Sequence, residues 1–189
     1  MATKLDQAIA RVAVALGTGN WSTMTVAAAE VAAGLSAKDL QKLPDKWYPA
    51  ISAAKAGVPD LKDVGWDHFW FEAITEILAQ KKQEGLPGLL ELMDRQECTY
   101  HQFPVVRLLR LAADGCEPEM VLARVRSRLE TLRLPWVRFV VQEIEAWQPV
   151  DPRPLQLLLP LANIAIPGGE GDTLATCMKS MTTDRRSLS

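Results

Sequence analysis

The sequence predicts an all-α protein built as a multi-helix array. Apolar residues recur at helical spacing along the chain, and no run alternates apolar and polar residues as a half-buried strand would. Hydrophobic residues make up 48% of the chain and charged residues 23%, the balance of an ordinary globular protein. A chain of 189 residues is long enough for one domain with a substantial core, or for two small ones.

Residues 1–84 are predicted to form an N-terminal helical region. Four apolar residues between Leu5 and Leu16 recur at helical spacing and share one face of the first helix. An alanine-rich helix is predicted at about 23–33. Ser36 and Asp39 then have the spacing of a capping box, which indicates the start of another helix.

A cluster of aromatic residues, GWDHFWFEAI, marks the next helix at 65–74. Its apolar residues share one face, while polar residues such as His68 and Glu72 fall largely on the other face. Core packing is the main interpretation of the aromatic face, because aromatic side chains dominate protein cores. Phe71 lies off this face, so we expect it to be the exposed aromatic and a contact for a partner.

Proline recurs with a rhythm after residue 85, at positions 87, 104, 118, 135 and 154. Each of these prolines precedes a stretch that can be helical. Proline is favourable in the first turn of a helix, since its missing N–H is not needed there. Pro87 to Pro118 and Pro104 to Pro135 are both separated by 31 residues, which is the length of a two-helix unit.

Two segments, FPVVRLL and LPWVRFV, repeat at this offset and align Arg107 with Arg138 and Asp114 with Glu145. We therefore expect residues 85–150 to form a short stack of helical hairpins packed on the N-terminal region. This architecture would be HEAT-like or TPR-like, although no signature motif of those families is present. An irregular helical bundle is the alternative, because any two amphipathic helices that begin with proline look alike.

Residues 151–189 are predicted to be a proline-rich connector and a flexible tail. The most apolar run of the chain, from Leu155 to Ile166, is twelve residues long and contains Pro160. A bilayer span takes about 20 residues, so this run is predicted to be core or connector. No membrane partner is expected.

Charge and cysteine usage narrow the functional classes further. The net charge of −2 gives no basic footprint of the kind that nucleic-acid binding requires, so a nucleic-acid partner is disfavoured. The three cysteines are widely spaced, and the N-terminus lacks the continuous apolar core of a signal peptide. We therefore expect a cytoplasmic protein.

One combination of residues could bind a metal ion. His68 and Glu72 are spaced i, i+4 on a helix, and Cys98 and His101 are separated by two residues, as in zinc sites. Neither pair is a complete motif, and His68 with Glu72 equally describes a solvated polar face. The sequence contains no phosphate-binding loop and no argued acid/base pair, so we expect no cofactor.

Arginines supply most of the candidate partner-binding residues. We expect Arg107 and Arg138 to stack on one surface, where they pair with Asp114 and Glu145 across adjacent units or bind an acidic partner. An ordinary solvated face is the alternative. The helix after Pro135 is apolar almost all round, so we expect neighbours to surround it. The candidate partner-binding residues are Arg107, Arg110, Arg124, Arg128, Arg138 and Phe71.

The function predicted from this architecture is a non-enzymatic interaction module or adaptor that holds a protein or peptide partner, or a second copy of itself. Stacked helical hairpins create extended surfaces that suit this role. Two alternatives stay open: a homotypic assembly domain of a larger signalling or defence protein, and a metal-dependent enzyme. Architecture alone does not determine a function, which depends on the residues of the site.

Overall fold

The computed structural model describes residues 3–17, 21–47, 67–95, 100–149, 151–169 and 171–179. Helices dominate these ranges, and the only β-type pairing within them is a bridge between Ala165 and Thr173. The prediction of an all-α, multi-helix array is confirmed, while the repeat architecture stays a prediction. Within the same ranges, no helix combines the length and the apolarity needed to cross a bilayer.

The chain divides into two compact units, Met1–Leu92 and Met93–Ser189. In the described part of the first unit, three longer helices each pack on the other two: α1 (Lys4–Gly17), α2 (Trp21–Ala33) and α4 (Asp67–Gln80). The predicted apolar face of α1 is confirmed, since all four of its residues are buried.

Shorter elements complete the first unit. Helix α3 (Ala37–Leu40) begins with the predicted capping box: the Asp39 amide donates to Ser36 Oγ at 3.3 Å, and the Ser36 amide donates to Asp39 Oδ2 at 3.0 Å. A 3-10 turn at Pro44–Lys46 follows, and its Lys46 Nζ lies 2.9 Å from Asp6 Oδ1. This ion pair ties the turn to α1.

Helix α4 does not have the polar face that the sequence predicts. Its residues from Trp70 to Ala79 are all buried, including Glu72 and Glu76. The expectation that Phe71 is exposed is wrong, because this side chain is fully buried and packs edge-on against Trp47 with ring centroids 6.3 Å apart. The helix is enclosed on every side from Trp70 to Ala79, so its polar and apolar residues do not mark a solvent-exposed face and a buried face.

The second unit is built around α6 (Gln102–Ala113), with α5 (Leu86–Asp94) crossing the division between the units. Helices α7 (Pro118–Leu129), α8 (Leu134–Trp147) and α9 (Arg153–Leu158) all pack against α6. Each of α7, α8 and α9 carries proline in its first turn, as predicted.

The segment after α8 folds back onto the second unit instead of forming a flexible tail. The Leu134 amide donates to the Pro167 carbonyl at 3.3 Å, and the Leu174 amide donates to the Ile164 carbonyl at 3.0 Å. Seven described side chains of this segment are buried: Pro154, Leu158, Leu161, Ile164, Ile166, Leu174 and Cys177. Those from Leu158 to Ile166 lie in the run predicted to be core or connector, whereas the packing of 171–179 differs from the flexible tail expected there.

Candidate functional site

A cleft on the second unit brings basic, aromatic and hydroxyl side chains together. Its volume is about 290 Å³. We name it the Arg128 cleft. Its lining residues are His101, Arg128, Thr131, Leu132, Arg133 and Trp136.

Three pieces of the chain meet at the Arg128 cleft. His101 immediately precedes α6, Arg128 lies in the last turn of α7, and Trp136 lies in the first turn of α8. The turn between α7 and α8 is short, and Thr131 supports it by donating its hydroxyl to the Arg128 carbonyl at 2.8 Å. The end of one helix and the start of the next therefore face the same space.

The Arg128 guanidinium stacks on the His101 ring. Nη2 lies 3.2 Å from Nδ1 and 3.3 Å from Nε2 of the histidine. An atom at these two distances in the ring plane would overlap the carbon between the nitrogens, so Nη2 lies over the ring face. This is a cation on an aromatic ring rather than an in-plane hydrogen bond.

The His101 ring stays neutral at pH 7. Burial lowers its pKa, and the Arg128 charge lowers it further, to about 4. A neutral imidazole offers one N–H donor and one acceptor. The cleft therefore draws its positive charge from its arginines and not from its histidine.

Aromatic rings continue from His101 along α8. The His101 and Trp136 rings meet edge to face with centroids 6.4 Å apart, and the Trp136 and Phe139 centroids are 5.8 Å apart. Phe139 is 44% exposed. This position contradicts the expectation that neighbours surround the helix after Pro135.

Two arginines of the cleft lack a carboxylate partner among the described residues. These are Arg128 and Arg133, whereas Arg126 on the same helix as Arg128 pairs with Glu130 at 3.0 Å. The Arg128 Nε is also buried without a hydrogen-bond partner in the described part of the chain. A buried donor left unsatisfied costs roughly 1–3 kcal/mol, so Arg128 is held in place at a cost to stability.

A second cleft adjoins the first and shares Arg128 and Thr131 with it. Asp94, Arg124 and Ser127 complete its lining, and its volume is about 350 Å³. Arg124 is ion-paired with Asp94. The structure therefore brings two predicted residues, Arg124 and Arg128, to one place.

Arg107 does not belong to this surface. Its side chain is fully buried, and its Nη1 donates to Glu143 Oε1 at 2.9 Å. The Trp147 indole N–H donates to the same oxygen at 3.0 Å, and the Trp147 ring lies 5.0 Å from the Arg107 guanidinium. Arg110 covers the same indole at 4.2 Å. We name these four residues the Arg107 cluster.

The predicted surface shared by Arg107 and Arg138 is wrong. Helix α6 lies among α7, α8 and α9, so its arginine needs a carboxylate inside the fold, whereas Arg138 is exposed. The predicted partner Asp114 instead accepts from Arg153 Nη1 at 2.8 Å. Equivalent positions in the sequence pattern therefore have different surroundings in the fold.

Arg138 lies near the thiol of Cys177. Burial raises the pKa of this thiol, Asp172 raises it further, and the charge and hydrogen bond of Arg138 oppose both effects. The thiol is thus held in its protonated form at pH 7. This arrangement does not make Cys177 a nucleophile.

The four metal candidates belong to different parts of the chain. His68 and Glu72 belong to the first unit, and Glu72 is buried there. His101 belongs to the second unit, and Cys98 lies outside the described residues. Across the described ranges, no group of three or more His, Cys, Asp or Glu side chains is arranged to hold a metal ion.

Sequence reasoning missed Arg133, Trp136 and Phe139. The motif LRLPWVRF contains all three, and an arginine beside two aromatics is typical of binding surfaces. His101 gave no such signal, because it is 27 residues from Arg128 in the sequence.

Comparison with known proteins identifies no relative. Neither the models of known families, nor the curated proteins, nor the solved structures gives a significant match to this chain.

Proposed function

We propose that this chain is a non-enzymatic interaction module that holds an acidic segment of a protein partner in the Arg128 cleft. The observation that carries the proposal is the pair of arginines, Arg128 and Arg133, which line a cleft without a carboxylate partner among the described residues. Trp136 forms an aromatic wall beside them.

The chemistry of the guanidinium supports an acidic ligand. Its planar fork of N–H groups matches the two oxygens of a carboxylate, and charge-assisted hydrogen bonds of this kind are stronger than neutral ones. A ligand carboxylate at the open edge of Arg128 would supply the counter-charge that the described residues do not. The Arg128 guanidinium is already partly removed from water in the free protein. Ligand binding therefore does not incur that part of the desolvation cost again.

The surroundings of Arg128 also fix its position. The guanidinium rests on the neutral His101 ring, which carries no charge to repel it, and Thr131 fixes the turn below. A pre-positioned arginine loses less conformational entropy on binding than a mobile one. Arginine and tryptophan are the residue types most enriched among those that dominate binding energy.

The test uses a fluorescein-labelled peptide of glutamate and leucine, with a counterpart in which glutamine replaces glutamate. Fluorescence anisotropy should show binding of the glutamate peptide that weakens as salt rises. The double variant Arg128→Gln, Arg133→Gln should lose about ten- to hundredfold in affinity, since hydrogen bonds to charged groups contribute about 1.5–3 kcal/mol.

The matched control is Arg126→Gln, which removes an exposed arginine of α7 outside the cleft. This variant should bind the glutamate peptide like the wild type. Equal binding of the glutamate and glutamine peptides would sink the proposal. Equal losses in the control and in the double variant would do the same, because the binding would then be a general charge effect.

A further inference from the structure

The first unit carries a groove of the opposite character. Its volume is about 340 Å³, and its floor is formed by the buried Leu40, Pro44 and Leu78. The charged residues that line it, Glu84 and Glu91, are both acidic and both exposed. We name it the Leu78 groove.

Two glycines allow the Leu78 groove to form. A side chain at Gly85 would lie 1.9 Å from the Leu78 carbonyl oxygen, and one at Gly88 would lie 2.9 Å from Leu78 Cδ2. Glycine at both positions lets the start of α5 approach the end of α4 closely. The apolar floor therefore lies directly beside the two carboxylates.

The acidic rim of the groove is accessible to a partner. The Glu84 side chain is 68% exposed, and its nearest ammonium, Lys81 Nζ, is 3.7 Å away. That ammonium is mostly buried and donates to the Leu35 carbonyl at 3.1 Å. Glu84 therefore keeps most of its carboxylate surface in water.

We infer that the Leu78 groove receives two side chains from a second copy of this chain: Arg133, which lines the Arg128 cleft, and Phe139, which lies beside that cleft against Trp136. This inference rests on the proposed function and deepens it, because it names the acidic partner of that cleft. The charges are complementary: Arg133, which has no carboxylate partner among the described residues, faces the largely exposed Glu84 at the rim of the groove. The apolar parts are complementary too, since the exposed Phe139 ring would cover the floor of the groove.

The physical driving force has two parts. Moving the Phe139 ring out of water onto Ala37 and Pro87, the exposed apolar residues that line the groove, is a hydrophobic gain, because apolar surface on both copies leaves water. Complementary charges steer the encounter and fix its register rather than supply most of the affinity. The contact is small by the standard of stable complexes, so assembly should depend on concentration.

The geometry of this contact is head to tail. The two surfaces are different patches of the same chain, so each copy uses one to bind the next copy and leaves the other free. Such an interface does not stop at a dimer unless a ring closes. Growth with concentration is therefore the signature to look for.

The experiment is light scattering coupled to size-exclusion chromatography, on the full chain over a wide concentration range. The wild type should increase in mass with concentration. Two variants should each stay monomeric: a groove variant, Glu84→Lys with Glu91→Lys, and a rim variant, Arg133→Glu with Phe139→Ser. Circular dichroism checks that both keep their helical content.

The decisive sample is an equimolar mixture of the two variants. Each has one intact surface, so the mixture should contain pairs of chains and nothing larger. The matched control is Glu30→Lys with Glu119→Lys, which makes the same charge change at two exposed positions outside both clefts. This control should assemble like the wild type.

Three outcomes would overturn the inference: a wild type that stays monomeric throughout, variants that still assemble, or a mixture that stays monomeric. The peptide assay separates this failure from failure of the proposed function, because the groove variant keeps Arg128 and should still bind the glutamate peptide. If the wild type fails to bind the peptide but assembles through both surfaces, the general acidic-peptide function fails and the self-contact stands.

Discussion

Among the described residues of the second unit, Arg107, Arg110 and Arg128 rest on aromatic rings, and the first and last of these differ in one respect. Arg107 is fully buried and has a carboxylate, Glu143, at 2.9 Å. Arg128 is half-buried, rests on the neutral His101 ring, and has no carboxylate among the described residues. Arg107 is neutralised within the fold, whereas Arg128 leaves its charge for something outside it.

This difference separates a stabilising arginine from a binding one. A buried charge without a partner would be too costly to keep, so the Arg107 cluster had to contain its own acid. At the edge of the fold, water can solvate part of the charge. An arginine there can stay without a carboxylate partner, and a ligand can supply that carboxylate.

The largest effect is expected at Arg107. Replacing it with methionine leaves Glu143 with the Trp147 indole N–H and without its ion-pair partner, and breaking a buried pair costs about 3–5 kcal/mol. Urea denaturation would measure this loss. Adding Glu143→Leu to the same chain should recover much of it, because an apolar pair of similar volume can replace a buried ion pair. A loss below about 1 kcal/mol in the single variant would contradict the structural role.

The next effect concerns His101 and pH. The pKa of His101 is about 4 in the folded protein, and an unfolded histidine titrates near 6.5. Between these values the unfolded chain binds a proton that the folded one does not, so stability falls as the pH drops from about 6.5 to 4. His101→Phe keeps a ring under Arg128 and removes the titration. The two free-energy curves should therefore differ by roughly 2–3 kcal/mol across this window.

Urea denaturation of both proteins at several pH values tests this expectation. The carboxylates with lowered pKa values, Asp6, Asp39 and Asp151, contribute equally to both curves. Subtracting one curve from the other therefore isolates His101. If the free energies of unfolding of the wild type and of His101→Phe changed in parallel with pH, His101 would not be held in its neutral form in the folded protein.

A smaller effect is expected at Arg128. Arg128→Met removes a charge and also a buried donor without a partner, so the two changes partly offset and stability should shift by only about 1 kcal/mol. The pKa of His101 should rise but stay below 6.5, because burial is its first cause and Arg128 its second. Titration of the His101 ring protons by NMR would measure this. An unchanged pKa would mean that the two side chains do not interact in solution.

The smallest effect on stability is expected at Phe139. This side chain is 44% exposed, and exposed substitutions usually change stability by less than about 0.5 kcal/mol. Phe139→Ser should therefore unfold at the wild-type urea concentration while it weakens self-association. A clear loss of stability would place Phe139 in the core and remove it from the proposed interface.

Local features of the fold could be predicted from sequence. The apolar face of α1, the Ser36 capping box and the prolines that begin α7 and α8 depend on residues within a few positions of each other. The tail could not be predicted, because prolines and glycines indicate irregular chain but do not show where it packs. The Leu174 amide follows such a stretch and donates to the Ile164 carbonyl, which lies in the run predicted to be core or connector.

The candidate site was less predictable for the same reason. Arg107 and Arg128 look alike in the sequence, and their neighbours in the fold, Glu143 and His101, are 36 and 27 residues away. Phe71 was misplaced because a helix that is enclosed on all sides has no exposed face for an off-stripe aromatic. Helical periodicity assigns residues to faces, but it does not reveal how many faces are covered.

The packing of the segment after α8 onto the second unit also determines which recombinant fragments of the chain stay in solution. The segment after α8 contributes buried leucines and isoleucines and bonds the Leu134 amide at the start of α8. A recombinant fragment that ends at residue 150 would expose the apolar surface beneath them. We expect such a fragment to bind hydrophobic dyes and to precipitate, whereas a fragment that continues through residue 179 should remain in solution.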